Sequence, residues 1–418
     1  MRYSALAVVA AFALGLAVPG AAQERAPAQP VLTLEEAVSR ATADQPAILA
    51  YEREAAASEE AAVAAQTLPD PQLTAGIENF PIRGENAFSP ADDMMTMYTI
   101  GVMREQVRRS KREAEAERIR AEALASRLQA GAQERHIRRA VMIAWIDAVE
   151  ARAKQRLLER LIADLRAGRK VIEAGIPTGS STAALALQTD AEIGLMEAQL
   201  ADAKRAEKGA RAELARWLGQ AAYRPLPDAL PAIDVPLAMI PHIAAHPEVQ
   251  VALAEEEVAK RQTAVAREER KPDISWSLSL GIRPKHGEMV SAGVSIPLQI
   301  NRRQRQDRLV GEAVARADAA RLRAEDAKRE LERAYRAAVA DYEGADAEVR
   351  RIERESVPAL EAAFSAAEAR YAAGSGTLDQ PFAIVRRYVE VTIQSVDARA
   401  RRARAAAEIL HVHGETGR

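Results

Sequence analysis

The chain has 418 residues and a formal net charge of −2, with 58 Lys plus Arg balanced by 60 Asp plus Glu. That balance argues against nucleic-acid binding and makes the arginines a solvated, salt-bridged surface. Aromatic residues are only 4 % and charged residues 28 %, a composition of long helices with narrow apolar seams rather than of two or three compact domains. With no cysteine, disulfides, thiolate metal sites and a thioether-linked lipid anchor are all excluded.

Residues 1–22 read as a secretory signal: Arg2, an apolar run from Ala5 to Val18, and Gly20-Ala21-Ala22 as a small-x-small cleavage site. The run is short of the roughly 20 residues a membrane-spanning helix needs, so the protein is expected to leave the cytoplasm. The first repeat then occupies 23–219. Thr33-Leu34-Glu35-Glu36 forms a capping box, and Pro46, after Asp44, suits the first position of a helix. Residues 71–107 predict a hairpin, with strands over Pro71–Glu78 and Met95–Val107. Leu73, Ala75 and Ile77 share one face, as do Tyr98, Ile100 and Val102, while Met95, Met97 and Met103 take the opposite register and leave the facing open. From 108 to 219 the chain predicts a helical hairpin whose first arm, Ser110 to Ala174, would be about 100 Å long. Its turn is Gly175-Ile176-Pro177-Thr178-Gly179. Prolines at 225, 227, 231, 236 and 241 mark residues 220–241 as a linker.

The second repeat, 242–412, runs through the same elements. Ala245-His246-Pro247 opens a helix. Residues 272–298 alternate strictly, with Ile274, Trp276, Leu278, Leu280 and Ile282 against Ser275, Ser277, Ser279 and Gly281. After a break the pattern resumes as Val290, Ala292, Val294 and Ile296 against Ser291, Gly293 and Ser295. Period two over two runs is a hairpin with one oily face and one wet one. A helical hairpin follows over 303–410, kinked or broken at Pro358 and turning at Gly374-Ser375-Gly376, before a tail at 413–418. Pro46 to Pro247 and Pro71 to Pro272 are both 201 residues apart, whereas Gly101 to Gly293 is 192. The chain is thus internally duplicated, with nine extra residues confined to the first hairpin loop.

Four strands cannot close a barrel in lipid, and an open edge there leaves backbone groups unpaired at several kcal/mol each. If the hairpins enter a membrane, several chains must pool them. The expected fold is mainly α with a transmembrane β part, a tube of strands continuing into a tube of helices.

At this point particular residues carry a likeness. Leu32-Thr33-Leu34-Glu35-Glu36-Ala37, Leu68-Pro69-Asp70-Pro71 and Gly76-Ile77-Glu78-Asn79-Phe80-Pro81 come first in order. Phe88-Ser89, Met95-Thr96-Met97 and Ile100-Gly101-Val102-Met103 follow. The second repeat adds Val290-Ser291-Ala292-Gly293-Val294-Ser295-Ile296-Pro297-Leu298, Asn301-Arg302-Arg303-Gln304 and Ala369-Arg370-Tyr371-Ala372-Ala373-Gly374. Over almost all of the mature chain the sequence resembles the TolC family of outer-membrane efflux ducts, in its heavy-metal cation branch. The resemblance implies a homotrimer in the outer membrane. Three chains, four strands each, would share a twelve-stranded antiparallel barrel continuous with a long periplasmic α-helical barrel. It also implies docking to a periplasmic adaptor and a proton-driven inner-membrane pump. Two departures stand out: some relatives are anchored through a cysteine this chain lacks, and only Asp379 follows Gly374 where many relatives carry acidic residues a turn apart.

No enzyme constellation is present, and no cofactor is implied. His242 and His246 are four apart, but Pro241 and Pro247 bracket them and favour surface histidines over a metal pair. His411-Val412-His413 reads as a solvated tail. Met94, Met95, Met97 and Met103 could offer thioethers to a soft cation, though apolar filler is the stronger reading. Asp379 is the candidate periplasmic gate, a carboxylate repeated around the axis, set against the simpler role of helix cap. Gly175, Gly179, Ser180, Gly374 and Ser375 are the candidate adaptor contacts at the tips. Two rival readings are a periplasmic helical scaffold or adaptor, and the same duct exporting drugs or other organic compounds.

Overall fold

A computed structural model describes residues 30–85, 87–177, 181–235, 237, 241–373, 375 and 379–413. The signal segment 1–22 and the tip residues Gly179, Ser180 and Gly374 lie outside the described residues. Helix α1 spans Leu34–Thr42 and α2 Pro46–Gln66, followed by β1 (Gln72–Glu78) and β2 (Met97–Gln106). Helix α3 (Arg109–Gly175) then runs for 67 residues and α4 (Ala183–Leu218) returns. The order repeats as α5 (Pro247–Glu268), β3 (Ile274–Arg283), β4 (Gly287–Ser295), α6 (Gln306–Arg351), α7 (Val357–Ala372) and α8 (Asp379–His413). Between α6 and α7 a π-helical turn at Ile352–Ser356 precedes Pro358. Proline lacks the amide that would bond to the preceding turn, and widening that turn accommodates it without breaking the column. Among the described residues no helix is long and apolar enough to cross a membrane.

Local signals account for the helix starts. Thr33 accepts the Glu36 amide at 3.2 Å, one half of the capping box. The Glu36 carboxylate turns instead to Arg40 and Arg224. Pro46 and Pro247 both stand in the first turn of their helices. The two joints match. Gln45, just before Pro46, donates from Nε2 to the Trp217 carbonyl near the end of α4 at 3.0 Å. His246, just before Pro247, places Nε2 3.1 Å from the His411 carbonyl near the end of α8. In each repeat the return helix therefore abuts the next helix leading to the strands, and one side chain pins the joint.

Two of the four apolar clusters among the described residues hold most of the helical core. Leu158, Leu161, Ile162 and Leu165 of α3 meet Met196 and Ala203 of α4 and Val389 of α8 along a narrow seam. Nearer the middle of α3, Trp145 is buried with Leu32, Leu214, Ala222, Leu226 and Ala407. Its indole N–H donates to the Leu32 carbonyl at 3.0 Å, and the Leu32 amide donates to the Pro225 carbonyl at 2.8 Å. The proline-rich segment predicted as a linker is thus partly a belt packed into the core, because Ala222 and Leu226 supply apolar surface the alanine seams lack. The last helix also extends further than predicted, to His413.

Candidate channel wall and its two ends

The four strands form one antiparallel sheet in the order β1-β2-β3-β4. Its register settles which side chains share a face. Leu73, Ala75 and Ile77 pair with Val102, Ile100 and Tyr98. Val102, Ile100 and Tyr98 pair in turn with Leu278, Leu280 and Ile282. Leu278 and Leu280 pair with Ala292 and Val290, and Trp276 with Val294. All of these sit on one side, so the apolar stripes join into a single sheet-wide face. They are exposed in the protomer: Leu278 is 51 % and Val294 70 % accessible. Among the described residues nothing packs over them. Charge reaches this face only at its rims, as Arg104 opposite Trp276 and Glu288 opposite Ile282.

The opposite face is made mostly of Thr74, Gly76, Thr99, Gly101, Ser275, Ser277, Ser279, Gly281, Ser291, Gly293 and Ser295, with Met289 among them and Glu78, Glu105 and Arg283 towards its rims. The facing of the methionines, open in the sequence, is resolved here. Met97 and Met103 lie on this small-residue face, and the Met97 sulfur stands 3.1 Å from where a Cβ on Gly281 would be. Met94 and Met95 lie in the loop before β2. The four sulfurs are therefore not gathered on one stretch of wall. Strands β1 and β4 each leave one edge without a partner in the sheet. Because successive strands alternate in direction, β4 of one copy can pair antiparallel with β1 of the next.

Where strand meets helix, Arg108 is a hub. Its backbone amide and Nε donate to Asp273 Oδ1 at 2.9 and 3.1 Å, and Nη1 donates to Glu268 Oε2 at 2.8 Å. Nη2 donates to the Lys271 carbonyl at 2.9 Å, and Lys111 Nζ reaches Asp273 Oδ2 at 3.0 Å. The Asp273 side chain is only 9 % accessible. Burial pushes its pKa up, but the Arg108 amide, Lys111 and the Arg108 charge outweigh that and hold it below the ordinary value. The Ser110 hydroxyl, then Arg108, likewise lowers Glu268. A carboxyl with a depressed folded pKa adds stability that is present above its unfolded value and is lost as pH falls through the folded one. The first prediction follows: Arg108→Ala removes the nearer cation of Glu268 and one of the two that face Asp273, Lys111 remaining, and should cost about 2 kcal/mol, read as a lower urea midpoint. Arg109→Ala, which removes only an exposed pair with Glu113, should not move it. Equal midpoints for the two variants would dismiss the hub.

At the far end the start of α8 packs against the α3–α4 hairpin. Phe382, in the first turn of α8, packs with Leu185 and Ile172 at the α3–α4 turn. A Cβ on Gly168 would meet its ring at 3.2 Å, so Gly168 is the gap in α3 that admits Phe382. Arg386 of α8 pairs with Glu192 of α4 at 3.3 Å. Gly175 ends α3, and its carbonyl accepts the Ser181 amide at 3.3 Å. Ser375 turns back on α7, its amide and hydroxyl both bonding the Arg370 carbonyl at 3.0 and 3.1 Å. Asp379 is the first residue of α8.

The histidine readings need correction. His246 is not a surface residue: it is 2 % accessible and caps α5 by accepting the Glu248 amide on Nδ1 at 3.3 Å. His411 and His413 are not a solvated tail but the last turn of α8, and the His411 side chain is 9 % accessible. Residues 242 and 246 do not share a helix face. What sequence spacing missed is that α3, α5 and α8 converge here and bring His136, Glu248 and His411 together. These lie over a hundred residues apart along the chain, so only the duplication, which predicts a joint at Pro247 like that at Pro46, could have pointed to them.

Residues 242–415 match the outer membrane efflux protein family. The match covers the second repeat and less than half of the chain. No curated protein matches the chain in sequence. In fold the chain is similar to CusC, at 16 % identity and a TM-score of 0.76 over 92 % of each chain. It is similar to the outer membrane protein VceC from Vibrio cholerae at 17 % identity and a TM-score of 0.74, covering 92 % of this chain and 97 % of that one. The CmeC outer membrane channel of Campylobacter jejuni aligns at 14 % identity and a TM-score of 0.76, over 96 % and 94 %. This is the outer-membrane efflux channel fold, mainly helical with a small antiparallel sheet per chain, and the unpaired edges of that sheet suit closure with further copies.

Proposed function

We propose that the protein is the outer-membrane exit duct of a tripartite efflux pump. Three copies pool four strands each into one closed barrel in lipid, with the small-residue face lining the pore and the helices standing in the periplasm. The duct does no chemistry and is passive: a proton-driven inner-membrane pump and a periplasmic adaptor load it, the adaptor gripping the tips around Gly175, Gly179, Ser180, Gly374 and Ser375. The observation that carries this is the unbroken, chargeless centre of the apolar face across all four strands, exposed in the protomer and flanked by two unpaired edges. A soluble scaffold would have to hide that face, and a closed barrel in lipid hides both the face and the edges.

Heavy-metal cations are the proposed cargo, on the likeness of the hairpin and tip segments to the metal-efflux branch. Asp379 is the proposed gate, since a residue at the start of α8 would recur three times around the axis and attract cations. Purified protein should run as a heat-modifiable trimer from the outer-membrane fraction and give conductance steps in planar bilayers. A deletion strain should become sensitive to zinc, cobalt or cadmium salts. Sensitivity to drugs instead would reassign the cargo, and a water-soluble monomer would end the channel reading in favour of a periplasmic scaffold. Asp379→Ala should raise conductance or relieve cation block from the periplasmic side; no change in either removes the gate.

A further inference from the structure

The joint between α8 and α5 differs from its counterpart in the first repeat by chemistry as well as by sequence. In the first repeat Gln45 pins it and Ala47 follows the proline. In the second, His246 pins it, Glu248 follows the proline, and His136 of α3 and His411 of α8 converge on that carboxylate. His411 Nε2 is 3.2 Å and His136 Nε2 3.4 Å from the same oxygen, Glu248 Oε1. One ligand atom from each residue lies within 4.8 Å of the others. The imidazoles of His136 and His411 are tilted, with centroids 5.7 Å apart.

We infer that His136, Glu248 and His411 form a binding site for a divalent transition-metal cation of the zinc class, one that clamps α3, α5 and α8 at this joint. Two imidazoles and one carboxylate are the donor set that suits Zn2+, Co2+, Ni2+ or Cu2+, and not the all-oxygen preference of Mg2+ or Ca2+. Tetrahedral zinc with bonds of about 2.0–2.1 Å separates its ligand atoms by about 3.3 Å, and two of the three separations already have that size. The third closes by turning His136, whose side chain is half exposed. Water can complete the coordination from that open side.

A further feature is the arrangement of His246, which fixes the backbone around these donors. Its Nδ1 accepts the Glu248 amide, so its Nε2 carries the proton and donates to the His411 carbonyl. Both nitrogens are committed, and His246 holds the backbone of two ligands in place without being one. Arg135 Nη1 reaches the same carbonyl at 3.4 Å, steadying the end of α8. The inference does not depend on what the channel carries. A cation here would cross-link three helices where the column formed by α8 and α5 is interrupted, and it would stiffen the wall between the strands and the tips.

The test uses the full-length protein in detergent, stripped with chelator and titrated with Zn2+, with Mg2+ as the control. One zinc should bind per protomer, thermal unfolding should shift upward, and Co2+ should give the visible absorption of a low-coordinate site. Mg2+ should do none of these. His136→Ala, at a half-exposed position, and Glu248→Gln should fold and weaken zinc binding by more than about tenfold. They should also abolish both the cobalt band and the zinc-dependent shift, while Gln45→Ala leaves all three intact. Absence of stoichiometric zinc in the wild type, or unchanged binding and cobalt absorption in either variant, overturns the site.

Discussion

Leu278→Arg should remove the protein from the outer-membrane fraction. Leu278 is at the centre of β3, 51 % accessible, with Val102 and Ala292 as its cross-strand partners. On the lipid face of a barrel an arginine at mid-depth costs about 2–4 kcal/mol. In a trimer the substitution occurs three times, which is comparable to the whole folding stability of an ordinary domain at about 5–15 kcal/mol. Unfolded or unassembled protein should accumulate in the periplasm and be degraded, and no heat-modifiable trimer should form. The contrasting variant is Ser291→Asp, on the small-residue face of β4 where the pairing places Ser279 beside it. A pore-facing carboxylate stays in water, so this variant should assemble and change only the conductance or its cation preference. Should Leu278→Arg assemble normally while Ser291→Asp does not, the two faces have been assigned the wrong way round.

That contrast depends on a feature readable from the sequence alone. The alternation in Ile274–Ile282 and Val290–Ile296 is local, because successive strand residues point to opposite sides whatever the partner is. The length of α3, the Pro46 and Pro247 helix starts and the repetition of elements were legible for the same reason. The facing of Met97 and Met103 was not, since it is fixed by the pairing of β2 with β3, which joins residues about 180 positions apart. The proline-rich segment read as a tether because composition says nothing about whether Leu226 finds a pocket. It does so beside Trp145, whose indole N–H is committed to Leu32 in the same place.

The histidines failed for a related reason. Pro241 and Pro247 suggest an exposed turn, yet a proline in the first turn of a helix is compatible with a buried cap, and His246 is such a cap. Glycine and proline clusters mark the tips in the sequence, but the approach of α8 to α3 rests on Phe382 filling the gap at Gly168. A side chain and its receiving glycine on different helices leave no common signature in the chain.

Gly101→Val should cost more than any other single change on the inner face of the sheet. Valine is the better strand former and glycine a poor one, so propensity alone predicts a gain. Space predicts the opposite. A Cβ on residue 101 would stand 2.7 Å from the Ser279 Cβ and 2.9 Å from the Leu278 carbonyl oxygen. The obstructing oxygen is backbone and belongs to the ladder that pairs Gly101 with Ser279, so it cannot rotate aside. Overpacking costs about 1–3 kcal/mol where side chains can adjust, and here the ladder between β2 and β3 must open instead. Gly293→Ala is milder, because its Cβ would meet only the Ser277 hydroxyl at 2.8 Å, which can turn away; Gly76→Ala meets nothing closer than 3.7 Å. Urea titration of the three purified variants should therefore rank Gly76→Ala near wild type, Gly293→Ala below it, and Gly101→Val without a folded baseline or a trimer band. The same close approach explains why serine and glycine fill this face. Strands that must curl around a pore crowd their inner side chains together, and small residues let β2 and β3 bend inward without separating. A Gly101→Val protein with wild-type stability would mean that the sheet is flatter than this contact requires, and the account of how it closes would have to be abandoned.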